Sequence, residues 1–190
     1  HAEEIALERL SYLTLASKSK DNAALLHRLM RTSYLKVKVS NDVIGIEYAA
    51  TLKNVYALAS GIAHSLSYGD NFQSVLISNS TREMNRFIKK VSNRKRNINH
   101  SAYLGDLLVT AYSLFSRNRR FGNMIGRGYT VKGAQLEMNM VAEGYYACES
   151  AYKMSKSLGV NTPIIDAIYG VLYLKKSPRR MFQKLSKKLS

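Results

Sequence analysis

The spacing of hydrophobic and polar positions changes once along the chain, near residue 40. Residues 11–17 (SYLTLAS) and 34–40 (YLKVKVS) have the apolar, β-branched or alternating pattern of strands, whereas residues 20–32 place leucines at helical spacing. The pattern predicts one βαβ unit, which normally belongs to a parallel sheet. Two strands and one helix have too few neighbours to cover their apolar faces. We therefore expect this unit to be the end of an α/β domain that begins upstream.

Beyond residue 40 the pattern is helical almost to the C-terminus. Residues 40–42 are typical N-cap residues, and residues 43–66 are apolar nearly all round, which predicts a central helix surrounded by others. Further helices are predicted over about residues 72–91, 102–115, 134–158, 163–174 and from Pro178 onward. The expected fold is mostly α, a multi-helix C-terminal domain preceded by a residual βαβ segment.

Composition is that of a globular protein, with 46% hydrophobic residues and two prolines. No apolar run approaches the ~20 residues of a membrane span. The N-terminal HAEEIALERL is acidic and polar where a signal peptide is basic and then apolar. The single cysteine, Cys148, cannot form an internal disulfide and lies in an apolar helical pattern. These features favour a cytoplasmic protein without a transmembrane segment.

Lysine and arginine outnumber aspartate and glutamate by 29 to 13, a formal net charge of +16. Such a surplus is typical of phosphate binding, so one hypothesis is a non-enzymatic basic module that contacts nucleic acid or an anionic membrane surface. Much of the surplus lies at residues 93–97 (NRKRN) and 175–188, polar stretches where solvated cations are common. Because no zinc-finger spacing, RNP-like strand or GXXG clamp occurs, no nucleic-acid partner is expected.

Two residues are candidates for proton transfer. Lys53 lies in the middle of the predicted central helix, where a desolvated lysine could act as a general acid or base. The alternative is a lysine that extends to the surface. Asp106 begins an apolar helical segment, where its carboxylate could either cap the helix or orient Lys53. The pattern alone leaves both alternatives open for both residues.

The segment SRNRR (residues 116–120) is a candidate phosphate site. Its first three residues, Ser116, Arg117 and Asn118, would offer a hydroxyl, a guanidinium group and backbone N–H groups at the junction of two helical stretches. The alternative is an exposed, solvated basic turn. No metal is expected, since the histidines and the cysteine show no ligand spacing.

Five segments in order resemble one family, the bacterial NAD(P)-dependent glycerol-3-phosphate dehydrogenases. They are HAEE (1–4), TLKNVYALASGI (51–62), LGDLLVT (104–110), SRNRRFG (116–122) and VAEG (141–144). The similarity covers essentially the whole chain. It implies interconversion of dihydroxyacetone phosphate and sn-glycerol 3-phosphate by hydride transfer with NAD or NADP, in the cytoplasm, for glycerophospholipid synthesis. A homodimer is a further expectation.

The resemblance also implies roles for individual residues. Lys53 matches the catalytic, substrate-contacting lysine that protonates the carbonyl oxygen or, in reverse, accepts the hydroxyl proton. The other substrate positions are Asp106, Ser116, Arg117 and Asn118, and the cofactor positions are Ala2, Arg117, Val141 and Glu143.

The chain also departs from the family pattern. The glycine-rich G-x-G-x-x-G domain and a second substrate lysine of the family would lie before His1, and Thr51 stands where a small residue is usual. The resemblance therefore divides the chain into residues 1–40, a remnant of the dinucleotide-binding domain, and residues 41–190, an all-helical substrate-binding and catalytic domain. We expect the 190-residue chain alone to be inactive, because hydride transfer requires a bound nicotinamide.

Overall fold

The computed structural model describes residues 2–138 and 142–190, which form a mostly helical protein with a two-stranded sheet near the N-terminus. The predicted fold class is confirmed. The elements are, in chain order, α1 (Ala2–Ala6), β1 (Ser11–Ala16), α2 (Lys20–Met30), β2 (Leu35–Ser40), α3 (Val43–Ser65), α4 (Asp70–Val91), a π-helical turn (Ser101–Gly105), α5 (Asp106–Tyr112), α6 (Arg117–Gly126), α7 (Val131–Glu137), α8 (Glu143–Ser157), α9 (Pro163–Leu172) and α10 (Pro178–Ser186). Across the described ranges, no helix combines the length and apolarity needed to cross a membrane.

The predicted βαβ unit is present. Strands β1 and β2 pair in parallel, with Ser11 opposite Leu35 at one end and Ala16 opposite Ser40 at the other. Helix α2 connects them and is capped by Ser19, whose hydroxyl oxygen accepts the N–H of Asn22 at 3.2 Å. The carboxyl ends of both strands therefore meet at one edge of the unit, next to the start of α2.

Helix α3 is the centre of the helical part, as predicted. Helices α4, α5, α6, α8 and α9 all pack against it, and its residues from Val55 to Ala63 are all buried. Asp42 caps the helix by accepting the N–H of Gly45 at 3.2 Å. A helix buried on most sides has no wide polar face, which explains its nearly continuous apolar sequence.

Helices α3 and α6 approach each other at backbone contact. A Cβ atom added to Gly61 of α3 would lie 2.0 Å from the carbonyl oxygen of Arg119, and one added to Gly122 of α6 would lie 2.2 Å from that of Leu58. Only residues without a side chain permit this spacing. The packing therefore fixes the start of α6 relative to the middle of α3.

The single helix predicted over residues 134–158 is wrong, because the structure has two helices there. Met138 is extended at the end of α7 (φ −95°, ψ 122°), and Ala142 is extended at the start of α8 (φ −85°, ψ 99°). An acidic residue, Glu143, occupies the first turn of α8, where the helix dipole favours a negative charge. Apolar periodicity continued across the break and concealed it.

The helix predicted over residues 102–115 ends earlier, at Tyr112. Ser113 is extended, and its hydroxyl oxygen accepts the N–H of Phe115 at 3.2 Å. Serine side chains compete with helical hydrogen bonding in this way, so the helix stops before the apolar residues do.

Glu83 of α4 caps α9 across the helical core. It is fully buried, and its carboxylate accepts the N–H groups of Ile164 at 2.9 Å and Ile165 at 3.0 Å. These N–H groups lie in the first turn of α9, after Pro163, and have no partner within the helix. Burial is the main cause that raises the pKa of Glu83 to about 7, against the two backbone hydrogen bonds that lower it.

We expect the stability of the protein to fall as pH rises from about 5 to about 7.5, because of Glu83. The folded-state pKa of about 7 lies above the unfolded value, so the contribution of this group is fully present at low pH and is lost as pH rises through 7. The change is on the order of 3 kcal/mol in the free energy of unfolding. Denaturant unfolding of the wild type and Glu83→Gln across this range measures it.

The Glu83→Gln variant has no carboxyl group at this position to bind a proton as pH falls. Its free energy of unfolding should therefore depend less on pH. Glu47→Gln, which removes the same charge from an exposed position of α3, serves as the control and should follow the wild type. Parallel pH curves for the wild type and Glu83→Gln would contradict the assignment.

Candidate functional site

Lys53 of α3 and Asp106 of α5 form an ion pair. The Nζ atom of Lys53 lies 2.7 Å from both carboxylate oxygens of Asp106, and the two side chains are 19% and 20% exposed. Lys53 thus ends at Asp106 instead of extending into bulk solvent. The pairing considered from the sequence is present in the structure, and it orients an ammonium group that remains within reach of a ligand.

Asp106 does not cap a helix, so that alternative is wrong. The π-helical turn before it is continuous with α5, and the backbone of Gly105 is helical (φ −62°, ψ −46°). The N–H of Asp106 already donates to the carbonyl oxygen of Ser101, five residues earlier. A π turn adds a residue to one helical turn and thereby changes the direction of the side chains that follow.

A buried polar cluster connects the start of α3 to the π-helical turn. Arg96 donates from Nε to Asp42 at 2.8 Å and from Nη2 at 3.2 Å, and the Tyr103 hydroxyl donates to the same carboxylate. Residues 93–97 were expected to be solvated, but the Arg96 side chain is 4% exposed. The prediction fails for Arg96 because a carboxylate 54 residues away in sequence compensates its burial.

This cluster fixes the charge of its members. The hydrogen bond from Arg96 is the main cause that lowers the pKa of Asp42 to about 2. Burial, followed by the hydrogen bond to Asp42, raises the pKa of Tyr103 to about 12. Asp42 precedes α3, and Tyr103 lies three residues before Asp106. The cluster therefore ties together the two helices that carry Lys53 and Asp106.

The start of α6 combines the polar groups expected there. Ser116 is the N-cap and accepts the N–H of Arg119 at 3.2 Å, which leaves its hydroxyl proton for another acceptor. Arg117 follows as an exposed residue. Asn118 is buried, and its carbonyl oxygen accepts the N–H of Gly144 at 2.8 Å, so its NH2 group remains a donor. A helix N-terminus with these donors suits a phosphate group.

Two residues beside the site were not assigned from the sequence. Asn54, next to Lys53, donates from its side chain to Glu143 at 3.4 Å. Gly144 packs against the backbone of Asn54, because a Cβ atom on Gly144 would lie 2.6 Å from the carbonyl oxygen of Asn54. A buried asparagine within an apolar helix and a glycine in the first turn of α8 were the signals that could have identified them.

Some expected residues lie elsewhere. Ala2 is exposed on α1, and within the described part of the chain no hydrogen bond connects it to Lys53, Asp106 or Asn118. Val141 lies outside the described residues. Arg119 and Arg120, which the sequence leaves unassigned, line a different cleft of about 330 Å³.

Comparison with known proteins gives consistent matches. A family model described as the C-terminus of NAD-dependent glycerol-3-phosphate dehydrogenase matches residues 42–183. A glycerol-3-phosphate dehydrogenase [NAD(P)+] of an Exiguobacterium species is 38% identical over 99% of this chain and 55% of its own length. One from Clostridium botulinum is 36% identical over 97% of this chain and 56% of its own length. The chain thus spans about half the length of these curated relatives.

Solved structures agree with the sequence matches. The crystal structure of glycerol-3-phosphate dehydrogenase from Coxiella burnetii matches with a TM-score of 0.94 and 28% identity, over 97% of this chain and 57% of that one. The glycerol-3-phosphate dehydrogenase of baker's yeast matches with a TM-score of 0.86 and 25% identity over the same shares of the two chains. Because the family model covers most of the chain, the chain belongs to the NAD-dependent glycerol-3-phosphate dehydrogenase family, of which residues 42–183 represent the C-terminal part.

Proposed function

We propose that the protein interconverts dihydroxyacetone phosphate and sn-glycerol 3-phosphate, with NAD or NADP as the hydride carrier. The observation that carries the proposal is the ion pair between Lys53 and Asp106, on helices that both pack against α6. Residues 1–40 would belong to the dinucleotide-binding domain and residues 41–190 to the substrate domain. The family match that begins at residue 42 supports this division.

Lys53 acts as the proton donor in the proposed reduction. Hydride adds to the carbonyl carbon of dihydroxyacetone phosphate, the electron pair of the C=O bond moves to oxygen, and the Lys53 ammonium donates a proton there. In the oxidation, neutral Lys53 accepts the hydroxyl proton. Asp106 holds Nζ in one place before transfer. Since the side chain is 19% exposed, solvent can restore its proton.

The start of α6 holds the substrate phosphate in this proposal. The Ser116 hydroxyl, the Arg117 guanidinium and the Asn118 amide donate hydrogen bonds, and the positive end of the helix dipole adds to them. Anchoring the phosphate places the carbonyl carbon at a fixed distance from Lys53. Such positioning raises the rate of hydride transfer, because part of the binding energy offsets the entropy lost in aligning the reacting groups.

Ala2, Arg117, Val141 and Glu143 are the positions that we assign to the cofactor. Glu143 fits this role, because it is exposed at the start of α8 and, among the described residues, a 3.4 Å hydrogen bond from Asn54 is the only one to its carboxylate. A carboxylate with free acceptor sites suits ribose hydroxyls. The nicotinamide, when bound, supplies the hydride.

The biological setting is part of the proposal. Glycerol 3-phosphate is the backbone precursor of glycerophospholipids, and both substrates are water-soluble, which supports a cytoplasmic enzyme. A homodimer is supported by exposed apolar side chains on α5 and the segment after it, among them Leu108, Tyr112, Leu114 and Phe115. The non-enzymatic alternative, a module for nucleic acid or membranes, is not favoured, since the family match spans residues 42–183.

An activity assay on the complete gene product tests the proposal. We expect dihydroxyacetone phosphate to drive oxidation of NADH or NADPH, followed by nicotinamide absorbance. Dihydroxyacetone, which lacks the phosphate, is the matched control and should be reduced far more slowly at the same concentration. If dihydroxyacetone phosphate drives oxidation of neither nucleotide, the proposed function is wrong.

A further inference from the structure

A large cleft lies between the βαβ unit and the segment that connects α4 to α5. Its volume is about 1030 Å³, and it is lined by the ends of both strands, by one side of α2 and by residues 94–97 and 100–103. None of Lys53, Asp106 or the residues 116–118 lines it. Asp42, at its edge, is separated from Lys53 by about 16 Å along α3. The cleft, which we term the basic cleft, is thus distinct from the site described above.

The lining of the basic cleft is strongly positive. Lysine and arginine contribute six charges to it, and Asp42 is the only acidic residue among the lining residues. The six cations are Lys18, Lys20, Lys38, Arg94, Lys95 and Arg96. His27 and His100 also line the cleft. A concentration of like charge in a concave surface attracts anions strongly.

The acidic residue does not neutralise the other cations. Both oxygens of Asp42 are occupied by Arg96, by the Tyr103 hydroxyl and by the N–H of Gly45. Within the described ranges, Lys18, Lys20, Lys38 and Lys95 have no carboxylate partner. Four lysines from three separate segments therefore surround one cavity with their charge uncompensated.

The backbone around the basic cleft adds to this arrangement. Ser17 and Ser40, which follow and end the two parallel strands, both line the cleft. Ligands of parallel α/β sheets bind outside the carboxyl ends of the strands. Helix α2 begins at Lys20, also in the lining, so the positive end of its dipole lies at the same edge.

We propose that the basic cleft binds a small anion that carries two or more phosphate groups. A single phosphate contacts only a few donors, whereas this cleft presents four lysines that have no carboxylate partner among the described residues. Its volume lies slightly above the roughly 300–1,000 Å³ usual for small-molecule sites. A nucleic acid or a membrane would need an extended surface, and the basic segment 175–188 does not contribute to the lining. The ligand is a free polyphosphate compound, separate from the nicotinamide cofactor assigned above to Ala2, Arg117, Val141 and Glu143.

Calorimetric titration of the purified protein with sodium tripolyphosphate tests the proposal. We expect saturable binding that is at least about 10-fold tighter than that of orthophosphate, because each charge-assisted hydrogen bond contributes a several-fold factor. The variant Lys18→Gln/Lys38→Gln/Lys95→Gln should bind about 10-fold more weakly or worse. All three lysines are exposed, so the fold should persist, which the thermal midpoint verifies.

A matched variant separates local contacts from overall charge. Lys184→Gln/Lys187→Gln/Lys188→Gln removes the same charge from exposed positions near the C-terminus, and its tripolyphosphate affinity should fall by less than about 3-fold. In the complete gene product, the KM for NADPH should be unchanged by the cleft variant, and a rise in that KM would overturn the proposal by identifying the cleft as part of the cofactor site. Equal losses in the two triple variants, or equal affinity for orthophosphate, would overturn the proposal. Binding of anionic vesicles or duplex DNA through these lysines, without tripolyphosphate binding, would also overturn it.

Discussion

Lys53→Met is expected to lower kcat for dihydroxyacetone phosphate reduction in the complete gene product by about 10³-fold, with a much smaller change in substrate affinity. Methionine keeps the length of the side chain but can neither donate nor accept the proton. Asp106→Asn should lower kcat less, by about 10- to 100-fold, because the ammonium loses its partner but remains. Steady-state kinetics with direct measurement of substrate binding separates the two effects.

The double variant tests whether the pair acts as a unit. Once Lys53 is replaced, Asp106 has nothing to orient, so Lys53→Met/Asp106→Asn should be no slower than Lys53→Met alone. Lys89→Met, at an exposed position of α4, is the control and should retain full activity. If Lys53→Met retains turnover, Lys53 is not the proton donor. If the rate losses of the two single substitutions multiply in the double variant, Asp106 does not act through Lys53.

Elements with long, uninterrupted periodicity could be predicted from the sequence. The βαβ unit and α3 lie where the strand and helix patterns place them, and in α3 burial on most sides dictates the pattern. The break between α7 and α8 could not be predicted in this way. Apolar residues continue through it, and the reasons for the new start, a charge in the first turn and a glycine against α3, are not part of the apolar pattern.

One pairing within the candidate site could be predicted from the sequence. Lys53 and Asp106 stand out as charges beside apolar helical positions, and the structure joins them across 53 residues of sequence. The burial of Arg96 could not be predicted, because a basic segment is expected to be solvated unless its acidic partner is known. Asp42 was recognised from the sequence only as a helix cap. Its carboxylate both caps α3 and binds Arg96. Sequence separation, and not residue type, concealed this contact.

Two glycines within the family-like segments have a structural explanation. Gly61 is the second-last residue of the TLKNVYALASGI segment on α3, and Gly122 is the last residue of SRNRRFG on α6. Each faces the backbone of the other helix at a distance that excludes a side chain. The two segments thus carry polar residues of the site at one end and the contact that holds their helices together at the other. The distance between Lys53 and the start of α6 depends on this contact.

Gly122→Ala is therefore expected to lower the free energy of unfolding by about 3 kcal/mol. Alanine alone would favour the helix by about 1 kcal/mol, but the added Cβ would lie 2.2 Å from the carbonyl oxygen of Leu58, and this buried backbone cannot move aside. The clash outweighs the propensity, so α6 must shift. Denaturant unfolding of the variant measures the loss.

The shift of α6 should also weaken substrate binding. Because Ser116, Arg117 and Asn118 move with α6 while Lys53 stays on α3, the KM for dihydroxyacetone phosphate in folded Gly122→Ala should rise. Gly69→Ala is the control for a methyl group added without a clash, since no atom lies within 4 Å of the added Cβ. Gly69 is the N-cap of α4, where alanine is less favourable than glycine, so the stability of this variant should fall by no more than about 1 kcal/mol. Wild-type stability and KM in Gly122→Ala would mean that the contact between α3 and α6 does not set the geometry of the site. An equal loss in both variants would point to a general sensitivity to alanine at glycine positions instead.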